Sequence, residues 1–199
     1  PKQPSPSSRV KHQPSMPWRD IPQFIKAEVS TGSNVTRSLL EFIILTAVRS
    51  GEAREMTWSE IDLGTKIWTI PASRMKTPTL HRIPLSKRAL EILEKQRGDN
   101  KNNLVFPSPT SKRVLSDMAL TKFLRDKKTK SDAPGRHATA HGFRSSFRDW
   151  ASENGYSRDL AERALAHTIK NQSEAAYHRT DLIDQRRPMM EAWSSYISS

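Results

Sequence analysis

Residues 35–48 are apolar on nearly every side of a helical wheel, which predicts a central, buried helix. Ser33 or Asn34, at the end of a polar turn, is expected to cap this helix. Arg49 follows directly, so the pattern predicts an arginine that emerges from the end of the most buried element. A short helix over residues 52–57 is expected next.

Three short apolar stretches after this helix predict a small antiparallel sheet. Its strands are expected over residues 58–61, 67–70 and 81–85, with a tight turn over 63–66. The second connection is long and basic, and it places Lys76 on a mobile hairpin.

The remaining segments have mainly helical periodicity. Helices are predicted over residues 23–29, over 87–97 with Ser86 as N-cap, from Ser116 or Asp117 onwards, over 141–153 and over 158–166, with a helical turn over 173–177 and a last element over 181–199. Pro188 interrupts the last pattern, so the regular helix is expected to begin there. The predicted fold class is mainly α with a small three-stranded antiparallel β-sheet.

The first 17 residues differ in composition from the rest of the chain. They carry prolines at positions 1, 4, 6, 14 and 17, together with serines and lysines. A segment of this kind buries no core, so residues 1–17 are predicted to be a linker or disordered arm, and residues 18–199 the ordered domain. The chain begins with proline rather than methionine, and we expect it to be a piece of a longer protein.

The charge balance points to a polyanionic partner. The chain has 33 lysines and arginines against 21 acidic residues, which gives a net charge of +12. Nucleic acid is the commonest partner of so basic a domain. The alternative is a basic protein that is merely soluble.

Composition also excludes several classes of function. The chain has no cysteine, which excludes disulfides, thiolate catalysis and cysteine-ligated zinc. No apolar run approaches the ~18 residues of a membrane span, and no membrane partner is expected.

Two arginines and two histidines form a candidate cradle for one phosphodiester. Arginine suits phosphate oxygens because its rigid fork gives paired hydrogen bonds and keeps its charge. Arg49 and Arg144 could therefore grip both non-bridging oxygens. His141 lies three residues before Arg144, hence on the same helical face, and could donate a bond or accept a proton. His167 could be a further donor.

Lys76 and Tyr177 complete the candidate chemistry. Tyr177 would attack the phosphorus and form a phosphotyrosine that stores the energy of the broken bond. Lys76 would protonate the departing sugar oxygen. This scheme requires no cofactor and no metal.

These residues stand in motifs that carry a family resemblance. The motifs are residues 46–52 with Trp58 and Asp62, residues 75–77 with 81–86, residues 141–144, residues 165–167, residues 176–179 and residues 185–193. In them the chain resembles the catalytic domain of a tyrosine recombinase, particularly the phage and genomic-island integrases of the P4-like branch. The resemblance runs from about Trp18 to the end of the chain and implies the fold of the DNA breaking-rejoining enzymes.

The resemblance also implies roles for individual residues. Arg49 and Arg144 would be the arginine pair, Lys76 the general acid, His141 and His167 the phosphate-contacting histidines, and Tyr177 the nucleophile. Glu52 matches the acidic residue that follows the first arginine, and it could hold that guanidinium in place. Two positions, Ala47 and Ala166, are often glycine in the family, and His178 stands where asparagine is frequent.

The activity implied is site-specific DNA recombination through a 3′-phosphotyrosine, as in the integration or excision of a prophage or genomic island. The implied partner is double-stranded DNA at attachment sites, bound by a homotetramer in the bacterial cytoplasm, with the piece alone a monomer. The N-terminal DNA-binding domains of such proteins are expected to lie outside this chain. The alternatives are relaxation of DNA by a type IB topoisomerase-like enzyme, a DNA-binding module without catalysis, and a metal-dependent nuclease.

The remaining histidines favour ordinary roles. His137 and His141 are four residues apart and could share a metal, but the glutamate of a zincin motif is missing, so zinc is disfavoured. His12 and His81 are predicted to be surface residues.

Overall fold

A computed structural model of the protein describes residues 12–32, 34–98, 103–167 and 180–199. The helices are α1 (Ile21–Phe24), α2 (Val35–Thr46), α3 (Ser50–Arg54), α4 (Lys87–Arg97), α5 (Asp117–Asp126), α6 (Gly142–Glu153), α7 (Arg158–Ala164) and α8 (Ile183–Ile197). The strands are β1 (Ile61–Asp62), β2 (Ile67–Ile70) and β3 (His81–Pro84). The predicted class, mainly α with a small three-stranded sheet, is confirmed.

Helix α2 is the buried centre that its pattern predicts. Every residue from Leu39 to Thr46 is buried, and the helix packs against α4, α5, α6 and α8. Asn34 caps its N-terminus by accepting the backbone N–H of Arg37 at 2.9 Å. The helix ends at Thr46, and the next residue, Ala47, adopts a left-handed conformation with φ of 53°.

The sheet is antiparallel in the order β1-β2-β3. Its first strand is shorter than predicted, because residues Trp58–Glu60 form a 3₁₀ turn. The chain just before this turn pairs elsewhere, with a bridge between Thr57 and Leu104. The backbone N–H of Trp58 also donates to the Asn103 carbonyl at 3.0 Å.

Helix α8 corrects the prediction that the last regular helix begins at Pro188. It begins at Ile183 and runs through the proline. Arg186, before the proline, and Met189, after it, are both buried. Tertiary packing therefore outweighs the loss of the backbone hydrogen bond that proline cannot make. The helix lies on its own chain, since Trp193 Nε1 donates to the Ile44 carbonyl of α2 at 2.8 Å.

Ordered structure begins before Trp18. Ser15 and Met16 are buried, and the backbone N–H and Oγ of Ser15 both donate to the Asp132 carboxylate at 2.8 Å. Ser146 Oγ of α6 donates to the Met16 carbonyl at 2.5 Å. The last residues of the predicted linker therefore pack on the helical domain. Among the described helices, none combines the length and the apolar character that crossing a bilayer requires.

Candidate active site

A cavity of about 330 Å³ lies between α6, the end of α7 and the N-terminal residues. It is lined by three of the predicted site residues, His141, Arg144 and His167, and also by Arg148. The lining also includes His12 and the carboxylates of Asp132 and Asp149.

Arg144 is nearly fully buried, with 4% of its surface exposed. Its two terminal nitrogens donate to the carbonyls of Ala47 at 2.6 Å and Leu165 at 2.7 Å. Its Nε is buried and has no partner among the described residues. Burial and the neighbouring Arg49 lower the pKa of Arg144 to about 10, so the guanidinium remains charged at neutral pH.

Arg49 lies beside it, between α2 and α3, and is held by Glu52. One carboxylate oxygen of Glu52 accepts the backbone N–H of Arg49 at 2.9 Å, and the other accepts its side chain at 2.8 Å. Glu52 is itself buried. Arg49 also donates to the Ala166 carbonyl at 3.3 Å, which joins this residue to the turn after α7.

Two alanines shape the backbone around the arginines. Ala47 and Ala166 are both left-handed, with φ of 53° and 48°. This region favours glycine, because any side chain crowds the following carbonyl. A glycine at either position would adopt this conformation without that crowding.

His141 precedes α6 at the edge of the cavity. Burial lowers the pKa of His141, and the charges of Arg144, Arg49 and His167 lower it further. The imidazole is therefore neutral at neutral pH, and it can accept a proton as well as donate a hydrogen bond.

His167 is held by a carboxylate that sequence reasoning missed. Its Nδ1 lies 2.6 Å from Glu162 Oε2, and Glu162 Oε1 accepts from Arg148 Nε at 2.6 Å. The only sequence signal for Arg148 was its spacing, since it lies one helical turn after Arg144 and therefore on the same face of α6. Nothing in the sequence showed that α6 and α7 would bring Arg148 and Glu162 together.

The structure does not bring Lys76 into the cavity lining. Lys76 is exposed in the β2–β3 connection. The start of this connection is anchored, because Arg74 donates to the Glu60 carboxylate at 2.5 Å and to the Glu52 carbonyl at 2.6 Å.

Tyr177 lies outside the described residues. The described residues on both sides of its segment contact α7. The backbone N–H of His167 donates to the Glu162 carbonyl at 3.0 Å. Arg163 donates to the carbonyl of Thr180.

His81 is buried, with 7% exposure, and the prediction of a surface residue is wrong. Strand β3 packs against α8, and His81 Nε2 is buried with no hydrogen-bond partner among the described residues. Burial, followed by the charge of Arg186, lowers the pKa of His81 to about 3. His81 is therefore a neutral core residue.

The described residues contain no group of three or more histidine, aspartate or glutamate side chains placed to hold a metal ion. His137, the other residue of the disfavoured zinc pair, has its Nδ1 3.2 Å from the Thr129 carbonyl.

The fold is that of the catalytic domains of tyrosine recombinases. The chain superposes on the catalytic core of lambda integrase with a TM-score of 0.59 at 19% identity. The match covers 79% of this chain and 96% of the lambda integrase core. The integrase from mycobacterium phage Brujita matches all of this chain, and 66% of its own, with a TM-score of 0.64 at 16% identity.

The sequence assigns the family. Residues 16–182 match the model of the phage integrase family, and the chain belongs to that family. It is 35% identical to the prophage integrase IntA of Escherichia coli K12 over 95% of this chain and 45% of the relative. It is 33% identical to the integrase of Enterobacteria phage P4 over 96% of this chain and 47% of that relative. The chain spans about half the length of the curated relatives it matches.

Proposed function

We propose that this chain is the catalytic domain of a site-specific DNA recombinase that integrates or excises a prophage or genomic island. The observation that carries the proposal is the pair of arginines. Arg49 and Arg144 donate to adjacent carbonyls of one turn, and Arg144 shares a cavity with both histidines. Two neighbouring cations favour an anion between them, and a phosphodiester is the anion that this family's substrate supplies.

In the proposed reaction, the Tyr177 hydroxyl oxygen attacks the phosphorus of one strand and loses its proton. The bond from phosphorus to the 5′ oxygen breaks, and Lys76 supplies the proton that this oxygen takes. The product is a 3′-phosphotyrosine and a free 5′-hydroxyl. Attack by a 5′-hydroxyl from a partner strand then reverses these steps and releases Tyr177.

Arg49 and Arg144 stabilise the charge that develops on the non-bridging oxygens. His141, whose pKa is lowered by burial, would accept the tyrosine proton or donate to the phosphate. His167, which lines the same cavity, would donate to the phosphate. Glu52 positions Arg49. Since the cations are side chains, the scheme uses no metal and no cofactor.

The proposed partner is double-stranded DNA, which the net charge of +12 favours. Lambda integrase has been solved as a tetramer bound to a Holliday junction. We propose a homotetramer on DNA for this protein too, within the bacterial cytoplasm, and a monomer for this piece alone. N-terminal DNA-binding domains outside this chain would supply most of the sequence preference.

The test is relaxation of supercoiled plasmid in excess chelator, with any covalent adduct trapped by detergent. The chain should relax the plasmid and form an adduct, and Tyr177→Phe should lose both while still binding DNA. Tyr156→Phe is the matched control, since this ring packs on Trp150 at 5.3 Å, and it should behave as the parent.

Relaxation that persists in Tyr177→Phe would overturn the proposed nucleophile. If neither the parent chain nor Tyr177→Phe is active, the two should be compared again in a protein that includes the N-terminal region. That comparison decides whether Tyr177 is the nucleophile. If the full-length protein also forms no adduct, the alternative function, a DNA-binding module without catalysis, would be supported.

A further inference from the structure

The carboxylate of Glu162 lies between one arginine and one histidine of the cavity wall. Its Oε1 accepts from Arg148 Nε at 2.6 Å, and its Oε2 lies 2.6 Å from His167 Nδ1. Arg148 comes from α6, Glu162 from α7, and His167 directly follows α7. Both partners of the carboxylate line the cavity.

This contact determines which ring nitrogen of His167 faces outward. An ionised carboxylate only accepts hydrogen bonds, so the nitrogen that it contacts, Nδ1, carries a proton. A second bond, from the His167 backbone N–H to the Glu162 carbonyl at 3.0 Å, fixes the main chain of the same residue. Nε2 is then the ring nitrogen left for a group in the cavity.

Glu162 is an anion at neutral pH. Burial acts to raise its pKa, but the hydrogen bonds from Arg148 and His167 outweigh burial, and the net effect lowers the pKa of Glu162.

We propose that Glu162 is a positioning residue, which holds His167 with Nε2 directed at the phosphate, and that Arg148 in turn fixes Glu162. This proposal rests on the proposed function, in which His167 contacts the phosphate of a bound DNA strand. The competing reading is a salt bridge that only packs α6 against α7. Such a bridge would affect folding whether or not His167 is present.

A double-mutant cycle separates the two readings. The variants are Glu162→Ala, His167→Ala and the pair, and the measured quantity is the initial rate of plasmid relaxation with protein in excess. Glu162→Ala should reduce the rate by about 10- to 100-fold, by analogy with the loss of a group that orients a metal-bound histidine. The DNA dissociation constant should stay within about twofold. In the His167→Ala background, Glu162→Ala should reduce the rate no further.

Glu153→Gln is the matched control. Glu153 also pairs with an arginine, Arg19 at 2.6 Å, but this pair is exposed. Its loss should leave the relaxation rate unchanged. An equal cost of Glu162→Ala in both backgrounds would overturn the positioning role.

Nitrogen NMR of the His167 ring gives a readout that does not depend on catalysis. In the parent chain the Nδ1 signal should be that of a protonated nitrogen, and in Glu162→Ala the two tautomers should mix. An unchanged tautomer in that variant would overturn the proposal. If the parent chain cleaves no DNA, the proposed function fails separately, and the NMR comparison still decides whether Glu162 holds His167.

Discussion

Arg49 and Arg144 donate to consecutive carbonyls of one turn, those of Ala166 at 3.3 Å and Leu165 at 2.7 Å. The spacing of the two cations is therefore set by a single piece of backbone. The charge of Arg49 contributes to lowering the pKa of Arg144, which means that the two guanidinium groups repel each other. An anion held by both would remove this repulsion.

The first prediction concerns the fork of Arg144. Arg144→Lys should reduce plasmid relaxation by at least about 100-fold, the range seen when one donor to a developing negative charge is lost. A single ammonium cannot reach the carbonyls of Ala47 and Leu165 in the same way and also present a fork to phosphate. DNA binding should fall far less than the rate.

Arg125→Lys is the control for this substitution. Arg125 is exposed on α5, and the change preserves its charge, so rate and stability should both match the parent. Near-normal relaxation by Arg144→Lys would remove Arg144 from the phosphate site.

The second prediction concerns the left-handed alanines. Ala47→Gly and Ala166→Gly should each raise the free energy of unfolding by about 1 kcal/mol, because glycine adopts positive φ without the crowding that a methyl group causes. Urea denaturation measures the change. Ala161→Gly, inside α7, is the opposite control and should lower stability by about 1 kcal/mol. A loss of stability in the first two variants would contradict the strain argument.

The third prediction concerns the packing of the N-terminal residues on α6. A methyl group at Gly142 would lie 2.0 Å from the Pro14 carbonyl oxygen, which also accepts the Thr139 backbone N–H at 3.1 Å. Gly142→Ala must therefore displace residues 12–17, at a cost of about 1–3 kcal/mol by analogy with overpacking.

Thermal denaturation and proteolysis near residue 12 would detect that displacement. The control is Gly51→Ala, whose new methyl group would approach Arg54 only to 3.9 Å. If Gly142→Ala were as stable as the parent and equally protected, the contact with Pro14 would not hold the N-terminal residues in place.

The sequence pattern predicts a helix correctly where residues within or next to that helix determine its ends. The helix Lys87–Arg97 has the predicted bounds, because Ser86 caps it by accepting the Ala89 N–H at 3.3 Å. The helix across Pro188 was predicted wrongly, since its continuation depends on the burial of Arg186 against the carbonyls of Arg163 and Arg82. Those contacts join parts of the chain that periodicity treats separately.

The same distinction, between what local motifs identify and what depends on tertiary contacts, holds for the candidate site. Family motifs identified Arg49, Arg144, His141 and His167 as candidates, and the structure brings the latter three to one cavity. Glu162 was missed because its role comes from contacts between α6 and α7 rather than from any motif. The burial of His81 was missed because strand alternation alone does not say which face meets the core.

The fourth prediction concerns pH. His81 has a folded pKa of about 3 against an ordinary value of 6.5. Below pH 6.5 the unfolded chain binds a proton that the folded chain does not, so acid favours unfolding. Between pH 6.5 and 4.5 this should cost about 2 kcal/mol, since the limit is about 1.4 kcal/mol per pH unit.

Urea denaturation at several pH values measures the effect of His81. His81→Leu should flatten the dependence between pH 6.5 and 4.5, whatever its effect on absolute stability. His141, whose pKa is also lowered by burial, contributes in both proteins and cancels in the comparison. Equal slopes for parent and variant would show that His81 is protonated in the folded state.

The last prediction tests Lys76 as the general acid. Its exposed position means that Lys76→Ala should leave the melting temperature unchanged, so any loss of cleavage is chemical. The substrate is an attachment-site duplex in which sulfur replaces the 5′ bridging oxygen at the cleaved bond. A thiolate leaves without protonation, so Lys76→Ala should cleave the normal duplex much more slowly but the sulfur duplex at nearly the parent rate. Lys95→Ala, an exposed lysine on α4, should cleave both normally. If the sulfur substrate does not rescue Lys76→Ala, the proton comes from another group, and Lys76 acts by binding DNA.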